Sequence, residues 1–311
     1  MLESPPNVWR ELGDVLEDRD WTRLVRQLKN GDCAPFLGAG ACAPTLPVAT
    51  KLSRQWAAEY DYPFPDKSKL DEVTQFAAYH EMDPVTVKQL MKDKIASVPP
   101  PDFTTPTQPH ALLASQPISV YLTTNYDNYM TMALEHANRA PETRVCPWFK
   151  GADQYPITSV DDEFRPTIER PLVYHLHGHL EEPGSLVLTA EDYLEFLITL
   201  TKRQAREGDP LLPPQVSFIM STRPLLFIGY SLSDWTFRAV FQGLYESLAE
   251  VQRRRHVSIQ LTPPLGRKPS PAAKARAVTY LTKYYDKLNI SVFWGSAQAF
   301  CEELGQRLQA A

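Results

Sequence analysis

Four short apolar runs, each turning abruptly polar at its end, limit what this chain can fold into. They cover residues 33–37, 120–122, 172–176 and 225–228. Runs without hydrophobic–polar alternation read as strands buried on both faces, the habit of a parallel sheet covered by helices. The small and polar residues behind them are Gly38, Ala39 and Gly40; then Thr123, Thr124, Asn125 and Asp127; then His177 and Gly178; then Gly229, Ser231 and Asp234. In open α/β sheets ligands bind outside the carboxyl ends of the strands, so these four strand ends are where chemistry is expected.

Between the runs the apolar spacing turns helical. Helices are predicted over 8–16 and 21–28, the second capped by Asp20 and stopped at Asn30 and Gly31. Leu52 and Trp56 mark another over 51–60. Residues 70–97 stay helical (Val73, Phe76, Ala77; Val87, Leu90, Met91) and read as an insertion, closed by a proline-rich stretch at 99–109. Weaker strands are expected near Val145, at 186–188 as an edge, at 257–261 and at 290–294. Thr189 is placed to cap a helix through Tyr193 and Leu197, and a long amphipathic helix is expected over 234–251. Alternating strands and helices give the fold class: α/β, a Rossmann-like doubly wound parallel sheet with a helical insertion at about 60–109, residues 1–311 forming a single domain.

Composition narrows the function classes. Among the 311 residues no apolar run is long enough to span a membrane, and the first residues lack the basic and apolar regions of a signal peptide. Cys33, Cys42, Cys146 and Cys301 form no CxxC pair, which suggests neither a disulfide framework nor a zinc ribbon and suits a reducing cytoplasm. A net charge of −5 argues against a nucleic-acid-binding sleeve. The basic run Arg253, Arg254, Arg255 follows a predicted helix, where cations complement the dipole.

Gly38, Ala39, Gly40, Ala41 and Ala43 match the loose form G-x-G-x-x-A, in which small residues let backbone N–H groups approach a pyrophosphate. A glycine turn after a strand is often only a tight turn, and the motif departs from the dehydrogenase pattern, because no second strand ending in an acid follows about 20 residues on. Asn125 and Asp127 are both good helix caps, but a cap uses one of them and leaves the other and Thr124 without a task. His175, His177 and His179 alternate and would share one strand face, a possible metal tripod. Gly178 interrupts that strand.

Taken together and in order, these strand ends resemble the sirtuin-like family, which uses NAD+ as a substrate, over residues 36–294. The resemblance implies that Asn125 and, beside it, Asp127 lie at the nicotinamide ribose, with Asn125 needed for cleavage. His177, in the His–Gly pair, is implied to be the catalytic base, a role suited to an imidazole titrating near neutrality. Gly38, Ala39, Gly40, Thr124, Gly229 and Ser231 are implied to bind the dinucleotide, as is Asp234, which could equally be only a helix cap. The chain departs from protein-deacylating sirtuins in two ways. It has no four-cysteine zinc ribbon, and after the glycine loop it reads Ala43, Pro44, Thr45, Leu46, Pro47 in place of Gly-Ile-Pro-Asp-Phe-Arg. It is similar instead to bacterial sirtuin-like NAD-consuming effectors of anti-phage defence. The implied reaction is hydrolysis of NAD+ to nicotinamide and ADP-ribose without a metal. The implied setting is cytoplasmic, in a homo-oligomer or an assembly with a separate sensor or activator, with no nucleic acid or membrane bound. A protein deacylase, a non-catalytic NAD or ADP-ribose binding module and a dehydrogenase are the alternatives.

Overall fold

Phe36, Leu122, Tyr174 and Phe227 sit level on four adjacent strands, Leu122 and Phe227 flanking Phe36 and Tyr174 lying beyond Leu122. The computed structural model describes residues 16–159, 163–204, 211–230, 254–261 and 270–311. Its strands are β1 (Ala34–Leu37), β2 (Val120–Thr123), β3 (Glu142–Val145), β4 (Leu172–His175), β5 (Leu225–Ile228), β6 (His256–Gln260) and β7 (Ile290–Trp294). They form one sheet in the order β3-β4-β2-β1-β5-β6-β7, every neighbouring pair parallel. This is the expected Rossmann-like doubly wound sheet.

The described helices are α1 (Asp18–Lys29), α2 (Ala49–Glu59), α3 (Leu70–Glu81), α4 (Pro84–Ala96), α5 (Pro109–Ala114), α6 (Tyr129–His136), α7 (Ala190–Gln204), α8 (Pro214–Thr222), α9 (Pro271–Asp286) and α10 (Ala297–Ala310). Successive strand residues point to opposite faces and feed two cores. On one face Phe36, Leu122, Tyr174 and Phe227 pack with α7, α8 and α9 through Phe196, Met220 and Val278. On the other, Leu37, Tyr121 and Ile228 pack with α1, α5, α6 and α10 through Trp21, Leu113, Leu134 and Phe300. Trp21 is fully buried, stacked on Phe300 at 5.3 Å and edge-on to Phe293 at 6.0 Å.

Helices α2, α3 and α4 build a third core from Trp56, Val73, Ala77 and Met91, to which Leu186 and Leu188 contribute. The buried ion pair Lys88 to Asp192, 2.7 Å, joins α4 to the start of α7. Asp192 also accepts from the backbone N–H groups of Leu188 and Thr189, while Thr189 Oγ1 accepts from Asp192 N, the expected cap of α7.

Two expectations are corrected, and one helix had no forerunner in the sequence. Residues 186–188 form no strand: Leu186 and Leu188 turn into the third core and Val187 into the sheet core, with Val187 N donating to His177 O. Asp20 does not cap α1, which begins at Asp18 after Glu17; Asp20 lies within its first turn, where an acid favours the dipole, and pairs with Arg23 at 2.7 Å. The short helix α5, with proline in its first turn, was not expected. The predicted helix over 234–251, Ser231 and Asp234 lie outside the described residues, as does the predicted helix over 8–16 apart from Leu16.

The chain leaves β1 toward β2 on one side and later returns to place β5 on the other. Such a reversal opens a crevice at the carboxyl ends of the central strands, which is a binding position in this architecture.

Candidate active site

Glycine is demanded where the loops after β1 and β5 meet. Gly229 has φ +72°, and a Cβ there would sit 2.0 Å from Ala41 N. A Cβ on Gly38 would lie 2.7 Å from Gly229 O. Gly40 N donates to Gly229 O and Gly38 N to Ile228 O, so the two loops are stitched backbone to backbone. The short 3₁₀ turn Ala39–Cys42 follows, with Ala39 exposed. Thr124, half-buried, joins this loop by donating its N–H and hydroxyl to Leu37 O.

Asn125 is held at nearly every polar atom. Its N–H donates to Thr123 Oγ1 at 2.9 Å, and its carbonyl oxygen meets His175 Nδ1 at 2.9 Å. The side-chain Nδ2 donates to Gly38 O at 3.1 Å and to Cys42 Sγ at 3.1 Å. Both amide hydrogens are therefore spent, and among the described residues Oδ1 is the one polar atom of Asn125 without a partner. The residue presents an acceptor to the crevice and no donor.

Asp127 is tied to the same point. Its Oδ1 accepts from Tyr129 N at 3.0 Å, the cap-like task at the start of α6, and its Oδ2 accepts from Cys42 Sγ at 3.1 Å. Burial, and then the Asp127 charge, push the Cys42 thiol well above its usual range, so it stays protonated and donates. His110, on α5, stands behind with Nε2 4.0 Å from Cys42 Sγ. The ligand atoms of Cys42, His110 and Asp127 lie within 4.8 Å of one another, a sulfur–nitrogen–oxygen set that zinc could use. Gln108 decides against that use. Its Oε1 accepts from Ala111 N, so its Nε2 faces His110 Nδ1 at 2.8 Å as a donor. The ring proton then sits on His110 Nε2, which has no lone pair left to give a metal.

The three histidines do not share a face. β4 ends at His175 and Gly178 takes φ +93°, which breaks the alternation. His175 and His179 come together, ring centroids 4.6 Å apart, while His177 lies edge-on to Tyr193 and Phe196 of α7 at 5.5 and 5.1 Å. Burial drives His177 down to about 3, so the expectation of titration near neutrality is corrected: the ring is a neutral imidazole at physiological pH.

Of the residues expected at the site, the structure gathers Gly38, Gly40, Thr124, Asn125, Asp127 and Gly229, with Ala39 on the same loop. Cys42, His110 and His175 were missed as members. Cys42 and His110 join Asn125 and Asp127 only through tertiary contacts, and no local pattern marks them.

The all-parallel sheet, with polar strand ends at its switch point, defines a Rossmann-like α/β protein. A SIR2-like domain matches residues 119–293, over half of the chain, and the chain belongs to that family. It is 26% identical over 236 residues to the NAD(+) hydrolase ThsA of Enterococcus faecium, covering 74% of this chain and 44% of that protein. It is 25% identical over 241 residues to the NAD(+) hydrolase ThsA of Acinetobacter baumannii (strain 532279), covering 75% of this chain and 43% of that protein. The protein of the same name from Bacillus cereus (strain MSX-D12) is 27% identical over 154 residues, 50% of this chain and 28% of that protein. The chain thus spans less than half the length of each of these relatives.

Proposed function

We propose that this chain is an NAD+ glycohydrolase that cleaves the nicotinamide–ribose bond, an effector of anti-phage defence acting by NAD+ depletion. The supporting observation is Asn125, clamped at the end of β2 beside the glycine loop with Oδ1 as its one unengaged polar atom. The names of the relatives support the substrate.

In this reading the C1′–N bond breaks with its electron pair going to the nicotinamide nitrogen, and the base leaves neutral. Positive charge grows on the ribose, as in other oxocarbenium-like cleavages. Water adds to C1′ and loses a proton, giving ADP-ribose. Asn125 Oδ1 accepts a hydrogen bond from the attacking water or a ribose hydroxyl and fixes its direction. His177, neutral, accepts a hydrogen bond from a ribose hydroxyl through its lone pair, and the Asp127 carboxylate adds negative charge beside the developing cation. Gly38, Ala39, Gly40, Thr124 and Gly229, with Ser231 and Asp234, hold the phosphates and riboses. No metal takes part. Residues 1–311 are read as one sirtuin-like domain with a helical insertion, cytoplasmic, working as a homo-oligomer or with a separate activator. Among the described residues no helix is long and apolar enough to cross a membrane.

The test is Asn125→Ala with His177→Ala. Asn125→Ala removes most NAD+ cleavage, and His177→Ala loses on the order of 10²- to 10⁴-fold if the ring goes on to take the ribose proton. Near-native turnover in either well-folded variant overturns the assignment.

A further inference from the structure

We propose that His175 is a positioning residue for Asn125, holding the asparagine's backbone so that its amide meets both acceptors and leaves Oδ1 facing the crevice. This rests on the NAD+ hydrolase reading for its kinetic consequence, though not for its geometry.

The partner of His175 Nδ1 is a carbonyl oxygen, Asn125 O at 2.9 Å, so the ring carries its proton on Nδ1 and donates it. That bond sits on β4, adjacent to β2, and His175 is paired in register with Thr123. Thr123 Oγ1 accepts from Asn125 N at 2.9 Å, so one rung of the sheet grips both backbone polar groups of Asn125. With the backbone fixed, the amide reaches Gly38 O and Cys42 Sγ, each at 3.1 Å. Without the histidine bond, the Asn125 carbonyl is a buried acceptor with no partner, and the turn after β2 is free to rotate.

The tautomer has a second consequence. His175 Nε2 is left as a bare acceptor, buried and without a partner. His179 Nδ1 accepts from Glu181 N at 3.2 Å, so its proton is on Nε2, which is also buried and without a partner. The unpaired acceptor and the unpaired donor belong to rings 4.6 Å apart. Among the described residues His175 Nε2 makes no hydrogen bond, so the Nδ1–H to Asn125 O is the ring's one hydrogen bond and sets its orientation.

Asparagine at position 175 can place an amide N–H close to where Nδ1–H stands, whereas leucine cannot donate at all. His175→Leu is expected to lower kcat about tenfold or more while KM stays within about twofold, because orientation rather than substrate contact is lost. His175→Asn is expected to stay within about threefold of the parent in kcat. A second readout needs no turnover: the side-chain amide protons of Asn125, identified by their loss in Asn125→Ala, in nuclear magnetic resonance spectra of the folded proteins. They are expected as a slowly exchanging, well-separated pair in the parent and in His175→Asn, and as a shifted, fast-exchanging pair in His175→Leu. An amide pair unchanged in His175→Leu overturns the proposal, as does equal kcat in the two variants or a loss confined to KM. If the parent cleaves no NAD+, the hydrolase reading fails and the amide pair alone decides the role of His175.

Discussion

Asn125 and Asp127 are separated by one residue, yet their side chains are joined through a third, Cys42, from a loop more than 80 residues earlier. The thiol donates to Asp127 and accepts from Asn125, so its removal strands a buried carboxylate oxygen and an amide hydrogen. Cys42→Ala is expected to cost about 1–3 kcal/mol in denaturant unfolding. Cys42→Ser, whose hydroxyl can donate and accept, should cost less; equal losses would mean that the sulfur contributes packing alone. His110 sharpens a separate expectation. With its Nε2 protonated against Cys42, the cluster has no use for a cation, and exhaustive chelation leaves turnover and melting temperature unchanged. A stoichiometric metal whose removal abolished turnover would contradict the tautomer set by Gln108.

The helical insertion is fastened to the sheet domain through Lys88 and Asp192. Both are largely buried, and Lys88 also lies 5.4 Å from the Trp148 ring centroid. Lys88→Ala leaves Asp192 its two backbone donors but removes its cation, and about 3–5 kcal/mol of unfolding free energy is expected to go. A change under about 1 kcal/mol would mean that the pair behaves as a surface contact. The elements themselves were legible to different degrees. The runs behind Leu37, Leu122, His175 and Ile228 read correctly as strands because they are apolar on both faces, and polar residues stop them. Leu186 to Leu188 misled because a short apolar run suits a strand or an extended segment shared between two cores. Helix α5 is six residues long behind a proline-rich stretch, too short for a period to show. The carboxyl-end loops could be seen in the sequence. The Cys42 and His110 contacts could not, because they depend on packing β1 against β2 and α5 against both.

At the scale of the whole molecule, several imidazoles are buried. His175, His177 and His256 are each driven down to about 3 by burial. In the unfolded chain a histidine takes up its proton near pH 6.5. Between about pH 6.5 and 3 the unfolded state therefore binds more protons, and native stability falls as the pH falls. The loss is on the order of 1.4 kcal/mol per pH unit for each such ring. Urea midpoints are expected to drop steeply from pH 7 to pH 5; a flat profile would show that these rings charge in the native state. Control belongs to this scale too, because unchecked NAD+ hydrolysis would harm a host. The isolated chain is expected to be weakly active and to gain turnover with protein concentration or with a co-expressed partner. A monomer with full, concentration-independent activity would contradict that. The central claim is the cleavage itself, and mass spectrometry of NAD+ incubated with the purified protein, with Asn125→Ala alongside, tests it most directly. The account predicts nicotinamide and ADP-ribose in equal amounts from the parent and almost none from the variant. Unchanged NAD+ under every condition of concentration and partner, or a reduced dinucleotide with nicotinamide still attached, would contradict it.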